Sequence, residues 1–266
     1  MSVLEKLLLI ILIYLNRWYI KKAMRKIISQ TVIVIAGYFL FIRVAFATTT
    51  ILIGTTGDYP PLSAKTESGF VGTDIAIIKS FAKDHKLDLR FVPTSWQSLS
   101  DDLSSGKFIL AVGGISANPE RSKLFYLSIP IESSAKVPMI RCSDKAKYSQ
   151  FSLIDSESVI ISENRGGTNQ DFALKNIKHA VIRLTPKNDA AIASLTTNPP
   201  LADVMFTDNI EVDYRHQLNH NLCLADIPEK FPGNPKVFIF AKTEEGKKLQ
   251  QLFNQWWLKQ QKNSRF

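Results

Sequence analysis

The stretch GGISANPERSKLFYLSIP, Gly113 to Pro130, decides how this chain is read. Within six residues it places a hydroxyl (Ser116), a helix start (Asn118, Pro119) and an arginine (Arg121). Asn118 suits an N-cap, where its side-chain oxygen accepts a backbone N–H, and Pro119 suits the first helical position, where no N–H is needed. Arg121 in that first turn offers two parallel donors to a planar anion, which makes the segment a candidate carboxylate trap. A surface helix with a solvated arginine is the plainer alternative.

Outward from this stretch the chain alternates strand and helix. Strands are expected over Thr50–Gly54, Asp88–Val92 and Phe108–Val112, with helices over Asp74–His85 and Ser98–Ser105 between them. The rhythm repeats as strands Val137–Arg141, Ser158–Ile161, Ala180–Leu184 and Ala202–Phe206 with helices Asn169–Ile177, Lys187–Thr196 and Asn209–Gln217. A last strand over Lys236–Ala241 and a helix from Glu244 to about Gln260 close the chain. Such alternation implies an α/β fold with mostly parallel sheets and ligands at the carboxyl ends of the strands. With the second sheet inserted in the first, two lobes face a cleft. Lobe 1 is expected at 48–135 and 238–266 and lobe 2 at 136–237, with crossing segments near 133–137 and 235–241.

The order glycine pair, Ser, Glu-Arg, Phe-Tyr, Ser-Ile-Pro resembles the extracytoplasmic solute-binding proteins that hold amino acids by their α-carboxylate, a family with the bilobed type II periplasmic-binding fold. Further segments narrow the resemblance: TTGDYPPLS at 55–63, VPTSW at 92–96, AKVPMIRCS at 135–143, NRGGTN at 164–169, ADVMFTDNIE at 202–211 and NLC at 221–223. In that order they look like the cyclohexadienyl dehydratases, periplasmic enzymes that convert prephenate or arogenate to phenylpyruvate or phenylalanine. The likeness runs from about Thr55 to about Lys242. Those enzymes continue through another helix beyond the position of Phe266, so it does not carry over terminal packing or oligomeric state.

An exported protein is also what the leader implies. Residues 24–47 have a basic start, an apolar run from Thr31 to Ile42, and Ala45 and Ala47 in A-x-A spacing, so cleavage after Ala47 is expected. A second apolar run, Leu7 to Leu15, precedes it, and Met24 is the expected start. A membrane-tethered hairpin is the competing reading, but each run is shorter than the roughly 18 residues a spanning helix needs. The leader holds seven Lys/Arg against one acid, so removing it takes the net charge from +9 to +3. Basicity is thus a targeting feature, with no stripe suited to nucleic acid. The remaining 219 residues are enough for two modest lobes. Their two cysteines, Cys142 and Cys223, are expected to pair in an oxidising compartment, the alternative being two buried thiols. His216 and His220 stand at helical spacing without a third ligand, so no metal is expected.

Several residues fall where a cleft would be. Asp58 follows a strand-like turn, and Trp96 follows the strand ending at Val92, either as a flat wall for a ring or as a core aromatic. Gly166, Gly167, Thr168 and Asn169 precede a helical run whose free N–H groups suit an anion, although Thr168 or Asn169 could simply cap it. By spacing alone Asp208 and Glu211 read as a capping box. The resemblance alters that: the glutamate of the matching TD-x-x-E segment is the dehydratases' general acid, and Glu211 stands there. Non-catalytic relatives, which deliver ligand to an ABC transporter, commonly keep the Asp and lack this Glu. The resemblance further implies no cofactor, carboxylates held by Arg121, Ser116 and the Gly167-Thr168 N–H groups, and a polar shell completed by Lys136 and Asn164, each otherwise an ordinary exposed residue; Asp58, otherwise an N-cap or turn residue, and Asp208 are further substrate-binding candidates. Gln170 replaces a glutamate of that family and is read as lying outside the contact residues.

Overall fold

The computed structural model describes residue 12, residues 14–25 and residues 50–263. Residues 14–25 are helical and exposed, within a unit Met1–Thr49 that is separate from Thr50–Phe266. The expected signal segment beyond residue 25, with its cleavage site, lies outside the described residues. Among them no helix is long and apolar enough to cross a membrane.

Two five-stranded sheets carry the rest of the chain. The first joins β1 (Thr50–Thr55), β5 (Asp88–Pro93), β6 (Leu110–Ala111), β7 (Tyr126–Leu127) and β13 (Ile239–Phe240) in the order β5-β1-β6-β13-β7. The second joins β8 (Lys136–Arg141), β9 (Ile160–Asn164), β10 (Val181–Thr185), β11 (Val204–Asp208) and β12 (Leu222–Leu224) in the order β10-β9-β11-β8-β12. Two of the four pairings in each sheet are parallel, fewer than alternation alone implies. The crossing strands explain it. β8 begins at Lys136 opposite Asp208, the last residue of β11, and β13 begins opposite the end of β6. Each enters at the carboxyl ends of the parallel strands and must run back against them.

Helices α1 (Thr73–His85), α2 (Leu99–Ser104) and α3 (Pro119–Leu124) follow strands of the first half. Helices α4 (Phe151–Ile154), α5 (Thr168–Asn176), α6 (Asn188–Thr196) and α7 (Asn209–Leu218) belong to the second. An additional antiparallel sheet of β2 (Asp58–Tyr59), β3 (Ser63–Thr66) and β4 (Gly69–Val71) stands where the sequence suggested only a turn. The closing helix α8 (Glu244–Asn263) buries Gly246, Leu249, Phe253 and Trp256, a 3-4-3 spacing that forms one apolar stripe. That stripe packs on Phe81 of α1, and the Trp256 Nε1–H donates to Asp84 at 2.8 Å.

Strand ends differ most from expectation. β9 and β11 run on to Asn164 and Asp208, so polar residues read as loop are strand residues at the edge of the cleft. Regular pairing of the last strand covers only Ile239 and Phe240; Lys236 instead bridges to Ser116 and Glu132.

Cys142 and Cys223 form a disulfide across 81 residues, joining the end of β8 to β12. His216 stands 3.8 Å from Cys223 Sγ, but both sulfurs are committed to the bond. Helix α7 ends at Leu218, so His220 lies beyond it. Native protein is expected to resist alkylation at both positions until reduced, and replacing both by serine should cost about 4 kcal/mol in a urea titration. Ready labelling of the oxidised protein would contradict the pairing.

Candidate functional site

The GGISANPERS stretch folds as its residues require. Asn118 caps α3, its Oδ1 accepting the Arg121 N–H at 2.7 Å, and Pro119 takes the first helical position. The preceding glycines are held from below: Asp74 Oδ2 accepts the Gly113 and Gly114 N–H groups at 3.2 and 2.8 Å. Gly114 needs its φ of +78°, and a Cβ there would meet the Tyr59 ring at 2.4 Å. Asp74 is buried, and burial pushes its carboxyl up to about 6 despite those bonds. Asp74→Ala would leave two buried N–H groups unpaired, with an expected stability loss of about 3 kcal/mol by chemical denaturation. An unchanged midpoint would show that the turn stands without it.

The carboxyl ends of both sheets meet around one small space of about 10 Å³, room for one water. Tyr59, Trp96, Gly114, Asn164, Gly167, Thr168, Asn169, Asp208 and Lys236 line it. A cavity of about 340 Å³, a size suited to a small ligand, shares Thr168 and Asp208 with it and is also lined by Ser116, Lys136, Phe172 and Phe231. Thus Trp96, Asn164, Gly167, Thr168 and Asp208 meet at the small space, Ser116 and Lys136 at its neighbour. Asp58, Arg121 and Glu211 line neither.

Arg121 is 7 % exposed, and its Nη1 donates to the Ser116 carbonyl at 2.6 Å, its one hydrogen-bonded side-chain group among the described residues. Trp96 both packs on the core and walls the space, edge-on to Tyr59 with ring centroids 5.7 Å apart. Its Nε1–H donates to Asp58 Oδ1 at 2.9 Å. Asp58 in turn accepts the Asn188 backbone N–H at 3.1 Å on Oδ2, so contacts between the two halves join here. Gly166 completes the contact, since at φ +80° it lies against Gln97, where a Cβ would come within 2.4 Å.

The helix end expected to suit an anion is free of a side-chain cap. Gly167 is the N-cap of α5 with no side-chain bond, so neither Thr168 nor Asn169 caps it. Asn169 instead accepts from Lys136 Nζ and donates to Asn164 at 3.1 Å. Gln170 Oε1 accepts the Gly166 N–H at 2.7 Å and supports the turn from outside the lining.

Asp208 and Glu211 do not form a capping box. Asp208 makes no capping bond at the start of α7. Its Oδ1 accepts from Ser134 Oγ and pairs with Lys136 Nζ, both at 3.2 Å, and its Oδ2 accepts from the Tyr59 hydroxyl and Lys236 Nζ. Burial pushes Asp208 up, but the two ammonium groups outweigh it and hold the carboxyl below the usual carboxylate range. Glu211 is fully buried: Oε1 accepts from Asn188 Nδ2 at 2.6 Å and Arg215 Nη2 at 3.3 Å, and Oε2 from Thr207 Oγ1 at 2.6 Å. Burial carries its carboxyl up to about 7, against the pull of Arg215 and both hydrogen bonds. One carboxyl is thereby held ionised while its neighbour titrates near neutrality, a division that suits acid–base chemistry.

Lys236, Asn188, Tyr59 and Thr207 carry much of this network, and none was singled out as a binding residue. A lysine ahead of the apolar run Val237–Ala241 was a signal for Lys236. Nothing local marks Asn188, which is fully buried at the first position of α6.

Comparison with known proteins gives the same fold. The chain is 34% identical over 197 residues to a cyclohexadienyl dehydratase of Pseudomonas aeruginosa, covering 74% of this chain and 73% of that one. It is 29% identical over 210 residues to a probable amino-acid ABC transporter-binding protein of Haemophilus influenzae, covering 78% of each. Among solved structures, an ancestral amino-acid-binding protein described as a precursor of cyclohexadienyl dehydratase superposes with a TM-score of 0.72 at 28% identity, over 80% of this chain and 90% of that one. An arginine-bound transporter substrate-binding protein of Streptococcus pneumoniae superposes at 0.73 with 21% identity, over 81% of this chain and 90% of that one, a likeness of fold alone. Residues 51–266 match the pattern of a bacterial family, and the two-lobed α/β architecture is the type II periplasmic-binding fold. The chain belongs to the bacterial extracellular solute-binding proteins, family 3.

Proposed function

We propose that this protein is an exported cyclohexadienyl dehydratase acting on prephenate in the periplasm, with arogenate as a second candidate substrate. The observation that carries the reading is Glu211, a fully buried carboxyl raised to about 7 that does not cap its helix. The likeness to the Pseudomonas aeruginosa dehydratase supports it.

Prephenate needs little chemical help. Protonating its ring hydroxyl releases water, and the electron pair of the ring carboxylate's C–C bond completes the aromatic ring as carbon dioxide leaves. One proton is consumed, the dianion becomes the phenylpyruvate monoanion, and solvent returns the proton to Glu211. A positioned acid near pH 7 supplies that step. Arg121, Ser116 and the Gly167 and Thr168 N–H groups would orient the carboxylates, and Trp96 the ring. The reading requires substrate to replace the Asn188 amide at Glu211 Oε1.

The second reading, delivery of an amino acid to an ABC transporter, is favoured by the Haemophilus influenzae relative. Formation of phenylpyruvate from prephenate by purified protein separates the two.

A further inference from the structure

Four soft donors converge beyond the end of β8 opposite to Lys136 and the cleft. Among the described residues, the ligand atoms of Cys142, His216 and Cys223 all lie within 4.8 Å of one another. His220 is the fourth: its ring centroid stands 5.5 Å from that of His216. Two imidazoles on one tetrahedral zinc, with Zn–N of about 2 Å, place their centroids roughly 5 Å apart. His216 Nδ1 lies 2.7 Å from the Leu222 carbonyl, which can only accept, so this nitrogen carries the proton and Nε2 keeps its lone pair. Metal-binding histidines commonly donate their other N–H to a carbonyl in this way. Sequence spacing offered two histidines without a third ligand; the fold supplies both cysteines.

The sulfurs of the oxidised protein are joined to each other. The segments that carry the four donors do not depend on that bond. Cys223 pairs with Ile140 and Leu222 with Arg141 in the β8–β12 ladder, and the Cys142 N–H donates to the Asn221 carbonyl at 2.7 Å. The turn before β12 is closed by the Leu222 and Asn221 N–H groups, which donate to the Asn219 carbonyl and Oδ1, each at 3.1 Å. Opening the disulfide therefore frees two thiols on a frame that stays in place, with Cα atoms 4.9 Å apart and both side chains able to reach one ion. Cys142 is half-buried and His216 exposed, so a cation has a path from solvent.

We propose that this corner is a redox-gated site for a borderline-soft divalent cation such as zinc: oxidised, it holds the Cys142–Cys223 disulfide; reduced, it binds the ion through both thiolates, His216 and His220. Two thiolates and two imidazoles suit a tetrahedral ion of this class and not the hard cations that seek oxygen. The gate needs a two-electron reductant. With a phosphine, the S–S bond breaks, the phosphine takes the oxygen of one water as its oxide, and the two hydrogens of that water complete the thiols. The cation then displaces both thiol protons into solvent. Nothing in this proposal depends on what the cleft binds.

The test is cobalt(II), a spectroscopic stand-in for zinc, titrated into the full chain with and without prior reduction by a water-soluble phosphine. The chain has two cysteines, so thiolate ligation reports on this site alone. Reduced protein should take up one equivalent, with thiolate-to-cobalt charge transfer in the near ultraviolet and the strong visible bands of tetrahedral cobalt, both discharged by zinc. Oxidised protein should show neither. His216→Ala and His220→Ala should each weaken binding to the reduced protein by about 10- to 100-fold, at least the loss typical of disturbing a ligand's partner. If the reduced chain unfolds without metal, zinc should restore its circular-dichroism spectrum, since binding then drives folding. No charge-transfer band in the reduced protein, an equal band in the oxidised protein, unchanged affinity in either histidine variant, or a reduced chain left unfolded in excess zinc would overturn the proposal.

Discussion

Glu211→Gln is expected to bind prephenate yet lose about 10²- to 10⁴-fold in kcat, the range for removal of a positioned general acid. The substitution keeps the shape, its one oxygen can still accept from Asn188 while its NH2 donates to Thr207 Oγ1, and it removes the transferable proton. Wild-type kcat should fall as pH rises through about 7, where Glu211 ionises, and the variant should lack that limb. Stability should move the other way. Because the folded carboxyl titrates near 7 and an unfolded one near 4.5, Glu211's favourable contribution is complete below 4.5 and is lost as pH rises through 7. At pH 8 the neutral glutamine should therefore gain on the order of 3 kcal/mol over wild type. A variant with lower stability and lower activity together would make Glu211 a structural residue.

Arg121→Ala should abolish measurable binding of carboxylate ligands, a loss of roughly 10²-fold or more for a bidentate charge-assisted pair. Arg121→Lys, which keeps the charge without the planar fork, should recover only part of it. In the unliganded protein Arg121 holds the Ser116 carbonyl, so the alanine variant needs a thermal melt beside its titration. Full affinity in a folded Arg121→Ala protein would place the carboxylate elsewhere, with Lys136, Lys175 and Lys236 the cations that line the two spaces.

The sequence was legible where one element carries its own signal. Asn118, Pro119 and Arg121 specify a capped helix start by residue type, and the structure forms it at those positions. The helix–strand rhythm likewise emerges from apolar spacing within ten or so residues. What did not emerge depends on distant partners. Asn164 and Asp208 read as loop because polar residues rarely extend a buried strand, yet here the strand ends line a cleft, and Asp208 meets Tyr59 and Lys236 there. Lys236 meets Ser116 across 120 positions, and Asn188 meets Asp58 across 130. No local pattern encodes such pairings. The capping-box spacing of Asp208 and Glu211 misled for the same reason: tertiary partners Lys136, Lys236 and Asn188 outcompete the local helix bonds.

The most direct measurement is the ultraviolet absorbance of phenylpyruvate formed when purified protein meets prephenate at neutral pH. The expected result is formation proportional to protein concentration and well above the spontaneous rate, lost in Glu211→Gln. Phenylpyruvate at only the spontaneous rate, from a preparation that binds an amino acid tightly, would contradict the dehydratase reading and leave a transport-binding protein in its place.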